Sequence, residues 1–371
     1  MDINFHYFAI KTIAICAGLN ESDAQKIAGY SQFVDDYNPW NPYYFDSIPE
    51  FMKSCGMVKY NTDGLWEMTP TTTGFTDLLD TLSCILESMQ EEVITPFHFI
   101  PPYGYVRDVP ESRATDNATL PADIDGTFLI SEMLQRTKDD FLKDKRDCIV
   151  DRRTNLLIKI GILLHIFADT YAHQTFSGVQ SWINRCYIKE ETDNFENDKN
   201  ITSNLWETYF MLPAIGHTNA GHAPDHTYSS FYIWRARSSA DKYGVDYYNS
   251  YHRTNTVTFL LAAKQIYTYL FQLVNNDQKP AVDDPVWKEL EQLLLKGFEA
   301  HDEKITLLCD YWAQNVGKKY NYHYDMNDYW SGQLVTIESS DEQGRKYYSA
   351  MDDFFLYNYY AKKIRFEVIG K

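Results

Sequence analysis

Apolar residues recur along this chain at helical spacing far more often than at strand spacing. Residues 3–18 set Ala9, Ile10, Ile13 and Ala17 on one stripe together with His6, and Gly18 marks a stop. A second helix is entered through Asn20-Glu21-Ser22-Asp23, carries Ala24, Ile27, Ala28, Ser31 and Val34 inward, and reaches the pair Asp35-Asp36. Neighbouring side chains sit about 100° apart on a helix, so one of these carboxylates shares the buried face, and the heptad step from Ala28 favours Asp35. From Leu156 to Ile166 the chain is apolar almost all round, which predicts an interior helix closed by Phe176-Ser-Gly178. Further helical patterns fall near 73–92, 125–143, 239–275, 284–299, 302–316 and 350–366.

Strand signals are sparse. Residues 57–60 and 65–68, joined through Asn61-Thr-Asp-Gly64, read as a short hairpin, and residues 332–348 around Asp341-Glu-Gln-Gly344 as another. Polar, proline-containing or acidic runs at 101–121 and 190–200 read as loops. The pattern predicts an all-α fold: a multi-helix bundle with one or two small β-hairpin excursions. With no linker dividing it, the chain is expected to form a single helical domain over 1–371, with its core in 1–275 and a C-terminal helical extension in 276–371.

The predicted interior helix carries His165, Asp169 and His173 at steps of four residues, so the three side chains share one face. Polar groups on a buried face need partners, and imidazoles with a carboxylate in register suit a metal ion. The other reading is a set of satisfied core polar groups. Further candidate ligands run along the chain as His6, Asp35 or Asp36, and His98, then His217, His222, Asp225 and His226 in a Gly- and Pro-containing loop. A donor set of imidazole and carboxylate without thiolate suits zinc, one or two ions, with iron or manganese as alternatives.

Composition narrows the partners. Lys and Arg number 34 against 52 Asp and Glu, a formal charge of −18, which disfavours a broad surface for duplex nucleic acid while leaving small phosphoesters open. The six cysteines lack any C-x-x-C pair and read as reduced core thiols. The start of the chain lacks a secretory pattern and no unbroken apolar run reaches a membrane span, so cytoplasmic residence is expected. The 29 Tyr and 21 Phe suit a packed interior and a pocket with hydroxyl-tipped walls. Tyr37 to Phe45, directly after the paired Asp, is either a packed aromatic loop or the lining of a pocket mouth.

Taken together, an early helical His, an Asp after the next helix, Pro96-Phe-His98-Phe and then His-x-x-x-Asp on a buried helix resemble the zinc-dependent phospholipase C and S1/P1 nuclease superfamily. A closer resemblance, over about residues 1–275, is to uncharacterised bacterial proteins that share Phe-His-Tyr near the start, Gln-Phe-Val-Asp-Asp, Pro-Phe-His-Phe, His-x-x-x-Asp-x-x-x-His-Gln, and Gly-His with Pro-Asp soon after. The resemblance implies a bridging role for Asp169, one zinc held by His165, His98 and Asp35 or Asp36, and a second held by His6 with Asp169. The characterised enzymes complete a third zinc with a further His and a His-x-x-x-Glu motif. This chain has His173 at a shorter interval and no such motif, leaving His217, His222, Asp225 and His226 as substitutes. Those enzymes also use an N-terminal amine as a ligand; Asp2, one turn before His6, either stands in for it or favours the helix start.

Such a centre implies metal-dependent hydrolysis of a phosphodiester or phospholipid headgroup, with water acidified toward pKa ~7. The member of Asp35/Asp36 not spent on metal would orient or deprotonate that water, or simply face solvent at the helix end. His217 or His226 would protonate the leaving oxygen, or sit incidentally in a turn. Two other classes compete. One is an HD-type phosphohydrolase built on His301-Asp302, the other a non-catalytic helical interaction module stapled by a structural metal. His252 and His323 have no partner pattern and read as structural.

Overall fold

The computed structural model describes residues 1–62, 64–74, 85–190, 213–235, 249–302, 304–337 and 346–370. At its centre lies the helix Val150–Ala172, in which every side chain from Ile160 to Ala172 is buried. The helix Glu21–Asp36 packs directly on it, and Gly161 permits the close approach: a Cβ there would meet the Ile27 carbonyl oxygen at 2.6 Å. Asn20 caps this second helix by accepting from the Asp23 N–H at 2.9 Å, as its sequence predicts. The first helical segment begins as a π-helix over Asn4–Ala9 and continues as α-helix over Ile10–Cys16. Its wide first turns hold His6, and such π segments recur at functional sites. Helices Leu129–Arg146, Asn255–Val274, Pro285–Gly297, Ile305–Trp312 and Asp352–Ile369 surround this centre.

Two sheets correct the expectation of an all-α bundle. The first is five-stranded, in the order β2-β3-β1-β8-β7, with β1 Tyr43–Phe45, β2 Val58–Tyr60, β3 Trp66–Met68, β7 Leu334–Ile337 and β8 Tyr347–Ala350. Both expected hairpin strand pairs are present in it, β2 with β3 and β7 with β8, while residues 338–345 lie outside the described residues. They are not excursions, however: β1 joins them, antiparallel to β3 and parallel to β8, with Tyr44 opposite Tyr347. The second sheet, β4 Cys186–Glu190, β5 Ser230–Arg235 and β6 Asn249–Thr254, is antiparallel and had no counterpart in the helical reading. The helix expected over 239–275 starts only at Asn255, because the chain is in strand just before it; residues 236–248, the loop 191–200 and part of the expected helix 73–92 lie outside the described residues. Strands of three to six residues bury too little periodic pattern to be told from loops or helix ends.

One hydrophobic core runs from Met1 to Val368 and takes Trp312, Tyr320 and Tyr357 from the C-terminal hundred residues. A smaller cluster, including Phe99, Phe176, Cys186, Ile215 and Phe231, lies under the second sheet. Tyr37 is buried and hydrogen-bonded to Asn358, and Tyr43 and Phe45 pack on Phe354, so the aromatic segment after Asp36 is mainly core, with Trp40 exposed. The described cysteines are unpaired, with Cys186 buried and Cys148 exposed. The helices Val150–Ala172 and Asn255–Val274 are long and apolar enough to cross a membrane by length and composition; 89% of the most apolar stretch of the first and 50% of the second are buried inside the protein.

Candidate metal centre

Asp169 stands at the middle of a line of imidazoles and carboxylates supplied by six separate segments. On one side, Asp169 Oδ2, His98 Nδ1 and His165 Nε2 lie 3.3 Å from one another. Asp35 Oδ1 closes the group at 3.7 Å from both ring nitrogens. Donors about 2.0–2.1 Å from a tetrahedral zinc are separated by about 3.4 Å, so Asp35, His98 and His165 stand at spacings close to the edges of a coordination shell, with Asp169 equally near the two rings. On the other side, Asp169 Oδ1 lies 3.1 Å from His6 Nε2 and 2.5 Å from the Met1 amine. The His6 and His165 rings stack at 3.8 Å between centroids.

A third group follows beyond the amine, which lies 3.3 Å from Asp225 Oδ1. The same Oδ1 is 2.9 Å from His173 Nε2, and Asp225 Oδ2 is 3.0 Å from His217 Nε2. Three groups, His6/His165/Asp169, Asp35/His98/His165 and His173/His217/Asp225, could therefore each hold a metal ion.

Main-chain carbonyls fix the direction of three of these rings. His98 Nε2 donates to the Thr73 carbonyl at 2.8 Å, His173 Nδ1 to the His98 carbonyl at 2.6 Å, and His217 Nδ1 to the Gly221 carbonyl at 2.8 Å. A carbonyl can only accept, so those nitrogens carry the ring proton, and in a neutral imidazole the opposite nitrogen presents a bare lone pair. In His98 and His173 that nitrogen faces a carboxylate across the two donor groups, whereas His217, whose pKa Asp225 raises, meets its carboxylate as an ion pair. Acceptor facing acceptor is repulsive until a cation lies between them, and a metal-ligating His is normally oriented by such a hydrogen bond on its far nitrogen.

Electrostatics point the same way. Burial holds His6 well below its ordinary pKa, His165 down to about 4, and His173 below its usual value, so these rings are neutral near pH 7. Burial, then the charge of Asp169, pushes Asp35 well above the carboxylate range. Asp169 is also fully desolvated, yet His173, the Met1 amine, His165 and His6 around it lower its pKa well below the carboxylate range, and of these the ammonium is the one that carries charge near pH 7. Burial also opposes charge on His217, but Asp225 overcomes it and raises its pKa. The Nδ1 atoms of His6 and His165 are buried with no partner among the described residues.

Of the residues singled out from sequence, His6, Asp35, His98, His165, Asp169, His173 and His217 converge here. Asp36 does not: it accepts a short hydrogen bond from the Tyr324 hydroxyl and faces Gln32. His226 turns away from the three groups and stacks on Tyr228, and His222 is exposed beside it. His301 and Asp302 lie in an exposed loop. Asp2 is tied by its own N–H to the Asp225 carbonyl at 3.0 Å, and its carboxylate faces Asn4 and Thr227. Unread in the sequence were the supports of the Asp225 loop. Arg253 bridges the carbonyls of Ala172 and Pro224 at 2.6 and 2.9 Å, and Asn255 binds those of Ala223 and His226, both at 2.7 Å. Only their place just before a helix hints at this role.

Over residues 1–371 the chain matches a family of unknown function (DUF6765), and it belongs to that family. No curated protein and no solved structure matches it.

Proposed function

We propose that this chain is a metal-dependent hydrolase of phosphoesters, with zinc as the first candidate ion. The observation that carries the reading is the convergence of His98, His173 and His217, each steered by a main-chain carbonyl so that its other ring nitrogen meets a carboxylate. The donors are nitrogen and oxygen only, a set that fits zinc, iron or manganese. Divalent cations held here would supply Lewis-acid stabilisation of a phosphoryl group and acidify water toward neutrality. Asp169 is placed between two donor groups and can serve both through its two oxygens. His173, His217 and Asp225 supply three protein donors, leaving positions for water or substrate, and Asp225 is 18% exposed and so reachable. The ligand order shared with the zinc-dependent phospholipase C and S1/P1 nuclease superfamily supports the phosphoester class; a small phosphoester or phospholipid headgroup in a cytoplasmic setting is the substrate consistent with the charge of −18.

A second reading has its own support: Asp35, His98 and His165 are drawn together on the deeply buried side of the centre, where a structural ion would join their elements. The two separate by experiment. Elemental analysis of purified protein should give at least one equivalent of metal per chain, and hydrolysis of bis(4-nitrophenyl) phosphate should stop on chelation and return with zinc. Bound metal without turnover selects the staple, and protein without metal removes both.

A further inference from the structure

A cavity of about 400 Å³ opens beside residues 69–72, and no side chain of the three His/Asp groups is among the described residues that line it. Its wall is apolar on one side, from Trp40, Met57, Leu86, Met89 and Val93, and cationic on the other, from Lys362 and Arg365. The Arg365 side chain is 9% exposed. Its Nη2 donates to the Thr72 carbonyl at 2.7 Å and its Nη1 to Glu92 at 3.2 Å, yet its Nε–H is buried with no partner among the described residues. An orphaned guanidinium N–H costs free energy that a bound acceptor would recover. Lys362 makes no ion pair among the described residues, so among the described lining residues two cations face one carboxylate, Glu92.

We propose that this cavity is a second ligand site, separate from the metal centre, for a small monoanion with an apolar body, a medium-chain carboxylate. The anionic head meets Arg365 and Lys362, with the hydroxyls of Thr71 and Ser88 as further partners, and the chain lies along Met57, Met89 and Val93. The volume suits a ligand of about ten heavy atoms rather than a macromolecule. The head binds one peptide unit from the Thr73 carbonyl that orients His98.

Isothermal titration of the full-length, chelator-treated protein with octanoate, with octanol as the uncharged control, tests this. Saturable binding of octanoate, at least ten-fold tighter than octanol and at least ten-fold weaker in Lys362→Gln, is expected; chelation keeps the metal centre out of the measurement. Equal affinity for the two probes, an unchanged Lys362→Gln, or no saturable binding of octanoate would overturn the proposal.

Discussion

His98 Nδ1 and Asp169 Oδ2 face each other at 3.3 Å, while the far nitrogen of the ring donates to the Thr73 carbonyl. The arrangement suits a cation held between the two. Asp169→Asn should therefore lose at least one equivalent of metal by elemental analysis. Chelation should lower the melting temperature of the wild type more than that of the variant, which keeps the His173, His217 and Asp225 donors. An ion present at 100 times its dissociation constant stabilises the fold by about 2.7 kcal/mol, a shift of several degrees at most for a chain of this size. Full metal occupancy in Asp169→Asn would sink the bridging role.

The adjacent carboxylates Asp35 and Asp36 make a paired control. Asp35→Asn removes a donor 3.7 Å from two ring nitrogens and should weaken metal retention at least ten-fold in competition with a chromogenic chelator. Asp36→Asn alters only contacts to Tyr324 and Gln32 and should retain metal like the wild type, as should His301→Ala. A reversed order would place the ligand on the wrong carboxylate, and metal loss in His301→Ala would revive the HD-type alternative.

Gly161 sets the distance between the helices that carry Asp35 and Asp169. Its missing Cβ would lie 2.6 Å from the Ile27 carbonyl and 3.0 Å from the Tyr30 Cβ. Gly161→Ala should cost about 1–3 kcal/mol through overpacking. It should also lower metal content, since it forces His165 and Asp169 away from Asp35. A variant with wild-type stability in urea and full metal would show that the contact is not tight.

How much of this was readable beforehand differs between helix and sheet. The central helix and its three in-register polar groups were legible because one continuous period encodes both. β1 and its pairing with β8 were not, since Tyr44 finds its partner Tyr347 about three hundred residues away and a strand of three residues is too short to show alternation. Within the centre, His217 and His226 look alike in the chain; folding sends one to Asp225 and the other onto Tyr228. Asp225 itself sat in a loop with no period to place it, and Thr73, Arg253 and Asn255 act through main-chain carbonyls that no side-chain pattern reports.

Burial holds the ammonium of Lys11 down, to a pKa of about 8 against its ordinary 10.5. Below pH 8 folded and unfolded chains both carry the proton, and the folded state bears the whole cost of the buried charge. Between about 8 and 10.5 the unfolded chain holds more protons than the folded one, so this residue makes stability rise with pH across that window and then level off. Urea unfolding between pH 7.5 and 10.5 should show the rise in the wild type and its loss in Lys11→Met. Identical pH slopes in the two proteins would contradict it.

The parallel pairing of Tyr44 with Tyr347 has a consequence during synthesis. The edge of β1 stays without its neighbour until residue 350 has cleared the ribosome, so the early segment that bears His6 and Asp35 waits, partly open, for nearly the whole of translation. Contacts so distant in sequence slow folding and leave strand edges available to other chains. A nascent chain arrested before β8 should thus be a better client for chaperones than the finished protein.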